Sequence, residues 1–568
     1  MFNNGLRRRK VDLDFYLHRV FRKKSFRPLQ REVVTAAVEG HDVFVQASTS
    51  FGKSLCFQLP AMTTHGVTVV VSPLLSLMTD QVNALQGLGI PVATINSTIS
   101  HVERRVILDD LLSGHPRLRL LYVTPELCQT DTFRRTLRTV HRQRELVRIA
   151  IDEAHCISEW GHDFRPAYKD LAWFRSSLTD PSVPISALTA TATPQVRTDI
   201  INILGLDPTR LKIFSTPSAR PNIHYEIRFM EDFAPDPTEP ELFQVYDLVS
   251  WLRSIQGRRE ARLGADAAPK LPPISGIVYV STRMAAEKLA EALGESDERI
   301  RAVAYHAGLA AAERTKVQNE WIAPQQQLQQ QANSDPNGPK PKPLAFYIIV
   351  ATTAFGMGID NPEVRFVVHW SPPRTFESFV QESGRAGRDG RAATSMVYYN
   401  PQERERILER LRRDIQNVNN RSGGRNAGLN KGNKLSLLRN LYARKQSFEK
   451  VINYCETTTR CRHELIREFF GDTELEKMAS QVPGNSNDIA SGDDGNHAAG
   501  EEGSTQRPFS TCDYACDFCK EGPKGLAERK AKMAPEEGLV DYFSLFEGIF
   551  PLDRMFPELV RSAHCDCE

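Results

Sequence analysis

The chain has 568 residues, which is enough for three or four domains that each bury a core of their own. Hydrophobic residues make up 40% of it and charged residues 25%, the composition of an ordinary soluble protein. The formal net charge of +2 excludes an overall basic field, so any nucleic-acid surface must come from local clusters of charge. No apolar run approaches the ~20 residues that span a bilayer, and the start lacks a secretory core. We therefore expect a nuclear or cytoplasmic protein without a membrane partner.

Short apolar segments alternate with helix-like segments in two stretches. The first, from about residue 40 to 220, contains "DVFVQAS", "VTVVVSP", "RLLYVTPE", "RIAIDEAH" and "ISALTATA". The second begins near residue 274 with "SGIVYVSTR", "IRAVAYHAGL", "FYIIVATTAFG" and "RFVVHWS". Continuous apolar strands between helices predict parallel sheets covered on both faces. We predict an α/β protein with two tandem domains, residues 1–220 and 221–402.

The remaining stretches differ in polarity and charge. Polar segments near 255–274 and at 323–343 are predicted insertions that carry no chemistry. Residues 403–450 hold thirteen Lys or Arg against five Asp or Glu, which suits either a solvated helix face or a phosphate backbone. We predict a helical zinc-binding subdomain at 403–525 that contains a disordered acidic loop at 472–511, followed by a tail at 526–568.

The segment "QASTSFGKS", residues 46–54, is a phosphate-binding loop with one unusual position. Gly52 allows close backbone approach, Lys53 places a charge against the β- and γ-phosphates, and the Ser54 hydroxyl can hold Mg²⁺. Ser50 stands where such loops usually have a second Gly. A positive φ there would strain Ser50 by about 1–2 kcal/mol, which a protein can absorb. We predict a working ATP site with an altered loop.

Two further segments complete a site for phosphate chemistry. The strand "RIAIDEAH" ends in Asp152, which can bind Mg²⁺, and Glu153, which can position an attacking water. The Gly-rich stretch "SFVQESGRAGRDG" places Arg385 and Arg388 near the end of the second domain. These arginines can reach across an interdomain cleft and stabilise charge on a γ-phosphate. The alternative for the acidic pair, and for the two arginines, is that they are solvated surface charges without a catalytic role.

Seven of the ten cysteines lie after residue 454, which indicates a metal site in a reducing compartment. Cys512, Cys516 and Cys519 lie within eight residues, and tetrahedral Zn²⁺ requires four such ligands. Spacing alone leaves Cys455 and Cys461 as rivals for the fourth position. We expect the zinc to be structural.

The motifs "ASTSFGKS", "SPLLSLMTDQV", "YVTPE", "DEAHCISEWGHDFRPAY", "ALTATAT", "YHAGL", "ATTAFGMGIDNPEVRFVVHW" and "QESGRAGRDG" resemble, in this order, those of superfamily 2 helicases. The stretch after the acidic pair is similar to that of RecQ-type DNA helicases, and the resemblance covers roughly residues 15 to 520. It implies two RecA-like domains, the cofactors ATP, Mg²⁺ and Zn²⁺, and translocation 3′ to 5′ on DNA.

The resemblance also implies roles for single residues. Arg27 and Gln30 in "FRKKSFRPLQ" match an adenine-sensing motif, and Asp360 and Gln381 match positions that line the interdomain cleft. Cys461 in "TTRCRHELIREFFGD" matches the distant zinc ligand. A loop that senses single-stranded DNA is matched by the set Trp160, Phe164 and Arg165, and an aromatic beside an Arg suits base stacking and phosphate contact.

The sequence therefore predicts an ATP-dependent DNA helicase that acts on single-stranded and duplex DNA, in recombination, repair or genome maintenance in a nucleus, or in the cytoplasm of a prokaryote. Only about 50 residues follow Cys519, which is short for the winged helix that many RecQ proteins carry. Two alternatives remain open: a DNA-stimulated ATPase that remodels or anneals strands, and a zinc-stapled DNA-binding scaffold with a vestigial motor. The "HCISEWGHDFRP" loop disfavours an RNA helicase. Protein partners are not indicated.

Overall fold

Two parallel β-sheets form the framework of the protein in a computed structural model, which describes residues 11–161, 163–229, 240–263, 272–322, 344–353, 355, 361–420, 431–481 and 516–531. The strands of the first sheet are β1 (Asp42–Gln46), β2 (Val67–Val71), β3 (Val92–Ile95), β4 (Leu120–Val123), β5 (Leu146–Ile151), β6 (Ile185–Thr189) and β7 (Leu211–Ser215). Those of the second are β8 (Ile223–Phe229), β9 (Ile274–Tyr279), β10 (Ile300–Tyr305), β11 (Phe346–Ala351), β12 (Val364–His369) and β13 (Ala393–Tyr399). The strand orders are β3-β4-β2-β5-β6-β1-β7 and β10-β11-β9-β12-β13-β8.

Helices cover both sheets and form a third, helical part. The first domain contains α1 (Leu13–Phe15), α2 (Gln30–Val38), α3 (Leu55–Thr63), α4 (Leu75–Gly87), α5 (His101–Leu112), α6 (Pro125–Gln129), α7 (Asp131–Arg142), α8 (Pro166–Lys169), α9 (Ala172–Ser177) and α10 (Pro194–Leu204). The second domain contains α11 (Pro240–Leu263), α12 (Arg283–Ser296), α13 (Ala311–Ile322) and α14 (Phe376–Ser383). The helical part consists of α15 (Pro401–Asn420), α16 (Lys431–Glu456), α17 (Arg462–Phe470), α18 (Asp472–Gln481) and α19 (Asp517–Ala531).

Most strands are buried on both faces, as their continuous apolar sequences require. In β1, Phe44 belongs to one hydrophobic core, whereas Val43 and Val45 belong to another on the opposite face. In β9, Ile277 and Val278 likewise lie in different cores. Every strand pair in both sheets is parallel. The predicted α/β class with two parallel-sheet domains is confirmed.

Three predicted segment boundaries are wrong in part. The insertion expected from residue 255 begins inside α11, where Gln256 is buried. Residues 472–481 form α18, not a disordered loop, because Leu475 enters the core of the first domain. The tail expected from residue 526 begins inside α19, where Leu526 is fully buried. The insertion at 323–343 lies outside the described residues.

The helical part contacts both sheet domains. Arg197 of α10 donates to the Phe470 carbonyl at 3.0 Å. Asp472 accepts from the backbone N–H of Ser218 at 2.8 Å and from its hydroxyl at 2.7 Å. On the other side, Asp517 accepts from the backbone N–H of Ile227 in β8 at 3.1 Å. The helical part therefore bridges the two sheets.

Within the described ranges, no helix combines the length and the apolar character needed to cross a bilayer.

The ion pair between Arg462 and Asp517 yields a stability prediction. Both side chains are fully buried, and Nε of Arg462 lies 2.8 Å from Oδ1 of Asp517. Asp517→Ala leaves a buried guanidinium without its partner, so we expect the free energy of unfolding to fall by about 3–5 kcal/mol, measured by urea denaturation. The control is Arg413→Ala, which removes an exposed pair with Glu409 and should cost less than about 1 kcal/mol. Equal losses in both variants would contradict this account.

Candidate active site at the carboxyl edges of the two sheets

The phosphate-binding loop connects β1 to α3 and curls around the ammonium group of Lys53. Nζ of Lys53 donates to the carbonyls of Ala47 at 2.9 Å and Ser48 at 3.3 Å. Burial lowers the pKa of Lys53, although the charges of Glu153 and Asp152 oppose that shift. The loop thus holds a buried cation beside its own carbonyl oxygens.

The unusual loop position lies within a 3₁₀ turn, Thr49–Phe51, and such turns have a right-handed backbone. The left-handed conformation, with φ 81°, belongs to Gly52. The loop therefore needs its glycine at position 52 and not at position 50. The side chain of Ser50 lies outside the described residues.

Gln30 fixes the phosphate-binding loop from the start of α2. Its Nε2 donates to the Phe51 carbonyl at 2.6 Å and to the Gly52 carbonyl at 3.3 Å, while its Oε1 accepts from the backbone N–H of Arg27 at 2.8 Å. A Cβ atom added to Gly52 would lie only 2.7 Å from Nε2 of Gln30. Gln30 therefore links the segment that carries Arg27 to the phosphate-binding loop through one side chain.

The acidic pair follows β5 and is almost excluded from water. Glu153 takes a left-handed backbone with φ 48°, and its N–H donates to Oδ1 of Asp152 at 3.1 Å. Burial, followed by the neighbouring charge of Glu153, raises the pKa of Asp152 to about 7. Burial also raises the pKa of Glu153, which the positive charges of Lys53 and Arg385 partly oppose. The two buried carboxyl groups offer hard oxygen donors of the kind that Mg²⁺ prefers.

His155 connects this pair to the end of β6. Its Nδ1 lies 2.9 Å from the Thr189 hydroxyl and 3.3 Å from a carboxylate oxygen of Glu153. The Thr189 hydroxyl also accepts from the backbone N–H of Thr191 at 3.1 Å. Burial lowers the pKa of His155 to about 4, so its imidazole is neutral at pH 7. Sequence reasoning assigned no role to His155, although it lies in the same "DEAH" segment.

The segment after α14 brings positive charge from the second domain to the first. Thr49 donates through its hydroxyl to the Gly384 carbonyl at 3.1 Å, so the two loops touch. Arg385 is buried and hydrogen-bonds Tyr279, and its charge acts on Glu153. The charge of Arg388 lowers the pKa of Lys53. The structure thus brings both predicted arginines to the phosphate loop and acidic pair.

Of the two residues predicted to line the interdomain cleft, the structure describes only Gln381. Gln381 lies in α14 and is half-buried, close in sequence to Gly384. Asp360 lies outside the described residues.

We call residues 158–165 the aromatic loop; within it, His162 lies outside the described residues. Trp160 is 37% exposed, as base stacking would require. Phe164 is half-buried, with Nζ of Lys169 5.5 Å from its ring centroid. Arg165 donates to the Pro73 carbonyl at 2.7 Å and pairs with Asp163 at 3.5 Å. Trp160 is therefore the most exposed of the three predicted residues.

A group of potential metal ligands lies at the start of α17. The Sγ atoms of Cys461 and Cys516 are 3.8 Å apart, and a nitrogen of His463 lies within 4.8 Å of both. Zn–S bonds of about 2.3 Å at a tetrahedral angle require a sulfur separation of ~3.8 Å, so the pair fits this metal. Cys519 hydrogen-bonds both thiols.

The other candidate ligands are placed less directly. Cys455 is buried and does not belong to a metal-ligand group among the described residues. Cys512 lies outside them. Sequence reasoning missed His463, although its position two residues after Cys461 was a usable signal.

Comparisons with known proteins match both sheet domains. The family "DEAD/DEAH box helicase" matches residues 27–200, and "Helicase conserved C-terminal domain" matches 271–390. The ATP-dependent DNA helicase Q5 of Rattus norvegicus is 39% identical over 458 residues, covering 80% of this chain and 42% of that protein. The RecQ-like DNA helicase BLM of Xenopus laevis is 36% identical over 81% of this chain and 29% of its own length.

The chain belongs to the RecQ-type helicases. A further RecQ-type relative, the ATP-dependent DNA helicase Q1 of Rattus norvegicus, is 33% identical over 80% of this chain and 62% of that protein. The chain spans less than half the length of the Q5 and BLM relatives. The RecQ family predicted from the motif series is therefore confirmed.

Proposed function

We propose that the chain is an ATP- and Mg²⁺-dependent DNA helicase that translocates 3′ to 5′. The observation that carries the proposal is the two-sided site, in which Lys53 and the acidic pair of the first domain meet Arg385 and Arg388 of the second. Phosphoryl transfer is promoted mainly by positioning and by positive charge around the transferred group, and this site can provide both. The resemblance to RecQ motifs supports a nuclear role in recombination or repair.

Each side chain of the site has a role in this proposal. Lys53 exchanges the Ala47 and Ser48 carbonyls for phosphate oxygens, which are stronger acceptors for a buried ammonium group. Ser54 and Asp152 would hold Mg²⁺, whose charge would neutralise phosphate oxygens. Glu153 orients the attacking water, with Nδ1 of His155 3.3 Å from one of its carboxylate oxygens. Arg385 and Arg388 stabilise the charge that develops on the transferred group.

A cluster of like charges supports nucleic acid as the second substrate. Burial, followed by the charges of Arg410 and Arg444, lowers the pKa of Arg374. Glu382 offsets these charges only in part, and it also pairs with His369 at 2.9 Å. Neighbouring guanidinium groups repel one another until an anion neutralises them. We infer that phosphates of a DNA strand bind at these three arginines, which lie on the segment before α14, on α15 and on α16.

The exposed Trp160 provides a second element for binding a strand. Its ring can stack on any base, since every base has a π-face. Stacking and phosphate contact together fit a strand that is bound without regard to sequence.

Steady-state ATP hydrolysis tests the motor. We expect a single-stranded DNA oligonucleotide to stimulate hydrolysis at least tenfold and a matched RNA to do so much less. Lys53→Ala should abolish turnover, because it removes the buried ammonium group around which the phosphate-binding loop curls. Normal DNA-dependent hydrolysis in this variant would refute the assignment. Strong hydrolysis without strand displacement would favour the remodelling ATPase over the helicase.

The arginine cluster predicts a change in salt dependence. Arg444→Ala should weaken single-stranded DNA binding and reduce the slope of log K against log salt by about 0.7, the value for one lost phosphate contact. Fluorescence anisotropy at several salt concentrations measures both. Arg413→Ala, on the same pair of basic helices, is the matched control and should change the slope less. Identical slopes in wild type and Arg444→Ala would argue against phosphate binding at the cluster.

We also propose structural zinc held by Cys461, Cys512, Cys516 and Cys519, with His463 beside them. Purified protein should contain one zinc per chain by elemental analysis. Cys461→Ser should lose the metal and lower the melting temperature, since structural zinc contributes folding energy. Cys455→Ser should retain the metal, because Cys455 lies apart from the cluster. Loss of zinc from Cys455→Ser alone would overturn this ligand set.

A further inference from the structure

A contact between α16 and the aromatic loop joins parts of the chain that are about 280 residues apart. The side-chain amide of Asn440 donates to the carbonyls of Glu159 and Gly161, each at 3.2 Å. It therefore holds the backbone on both sides of Trp160. Arg439 adds an ion pair to the Glu159 carboxylate at 3.3 Å. We call this set of contacts the latch.

The Glu159 carboxylate is tightly held at this point. It is buried, and it accepts hydrogen bonds from Lys169 of α8 and from Ser436 of α16. The backbone N–H of Trp160 donates to the Ser158 hydroxyl at 3.1 Å, and this hydroxyl donates to Asp199 at 2.6 Å. The loop is thus anchored to its own domain on one side and to α16 on the other.

The helix that carries the latch is packed against the second domain. The Ser447 hydroxyl of α16 accepts from the backbone N–H of Phe376 at 2.8 Å. The Tyr454 ring of α16 packs against Phe376 and Phe379 of α14, with centroids 5.1 and 5.0 Å apart. Since α14 leads directly into Arg385, the latch connects the arginine-bearing domain to the aromatic loop of the other domain.

The aromatic loop is in turn packed against the acidic segment. A Cβ atom added to Gly161 would lie 2.6 Å from the His155 carbonyl oxygen, so little space separates the two backbones. His155 contacts Glu153 and Thr189. A displacement of Gly161 would therefore disturb His155, which lies two residues after Glu153, the carboxylate proposed to position the attacking water.

We propose that Asn440 is a positioning residue that, with Arg439, holds the aromatic loop in a restrained state that couples poorly to hydrolysis until DNA displaces it. This inference rests on the proposed function. A strand that stacks on Trp160 competes with the latch, because Asn440 holds the backbone on both sides of that residue. Release of the loop frees Gly161 and, through the His155 contact, the acidic segment.

Hydrogen exchange tests the restraint without reference to hydrolysis. In Asn440→Ala without DNA, the amides of residues 158–161 and 163–165 should exchange about tenfold faster than in wild type, the order expected when one or two hydrogen bonds are lost. Asn440→Asp keeps the shape of the side chain but removes the donor, and it should behave in the same way. Lys445→Ala removes only an exposed pair with Glu449 on the same helix, and it should leave exchange unchanged. Unchanged exchange in both Asn440 variants would overturn the latch.

Steady-state ATP hydrolysis then tests whether release of the aromatic loop increases the rate of hydrolysis. In Asn440→Ala the rate without DNA should rise at least threefold, and the rate at saturating DNA should change less than twofold. Faster exchange without any rise in the DNA-free rate would overturn the role of Asn440 in hydrolysis. If wild type responded to no DNA, the proposed function would fail, whereas the exchange result would still decide whether Asn440 restrains the loop.

Discussion

Charges of both signs are buried together at the cleft, and their mutual compensation is the constraint on which the site depends. Burial favours the neutral form of Lys53 and likewise of Asp152 and Glu153. The opposite charges of these three groups act against both shifts. Arg385 of the second domain adds a positive charge that acts on Glu153 of the first. Because part of the positive charge comes from the second domain, the electrostatics of the site depend on how closely the two domains approach.

The helical part contacts both domains outside the cleft, and these contacts constrain the distance between the two domains. Asp472 and Leu475 attach it to the first domain, and Asp517 attaches it to β8 of the second. The thiols of Cys461 and Cys516 lie beside these attachments, one residue before Arg462 and Asp517, which form the fully buried ion pair. A metal bound at these thiols would therefore tie together the two chain segments that position the bridge. Its role would be mechanical, since it lies in the helical part and not among the residues that surround Lys53.

Local sequence patterns predicted most of the strands and helices, and long-range contacts explain the features that these patterns missed. Valine-rich strands were evident, whereas β8 alternates buried and half-buried residues and gives a weaker signal. Acidic composition suggested disorder at Asp472, yet its carboxylate is held by Ser218, which is 254 residues away in sequence. The motifs located Lys53 and the acidic pair because those residues carry their chemistry locally. The role proposed for Asn440 could not be predicted from sequence, because it depends on the contact between this helical asparagine and a loop that is distant in the chain.

The serine at position 50 illustrates how a motif can change without losing its geometry. A glycine is indispensable where φ is positive or where another group approaches closely, and Gly52 meets both conditions through its φ of 81° and its contact with Gln30. Position 50 lies in a right-handed 3₁₀ turn, in which any L-residue has an accessible backbone conformation. The strain considered from sequence therefore does not arise there. Replacement of glycine at this position leaves the curl of the loop and the Lys53 contacts intact, so it is no sign of a decaying motor.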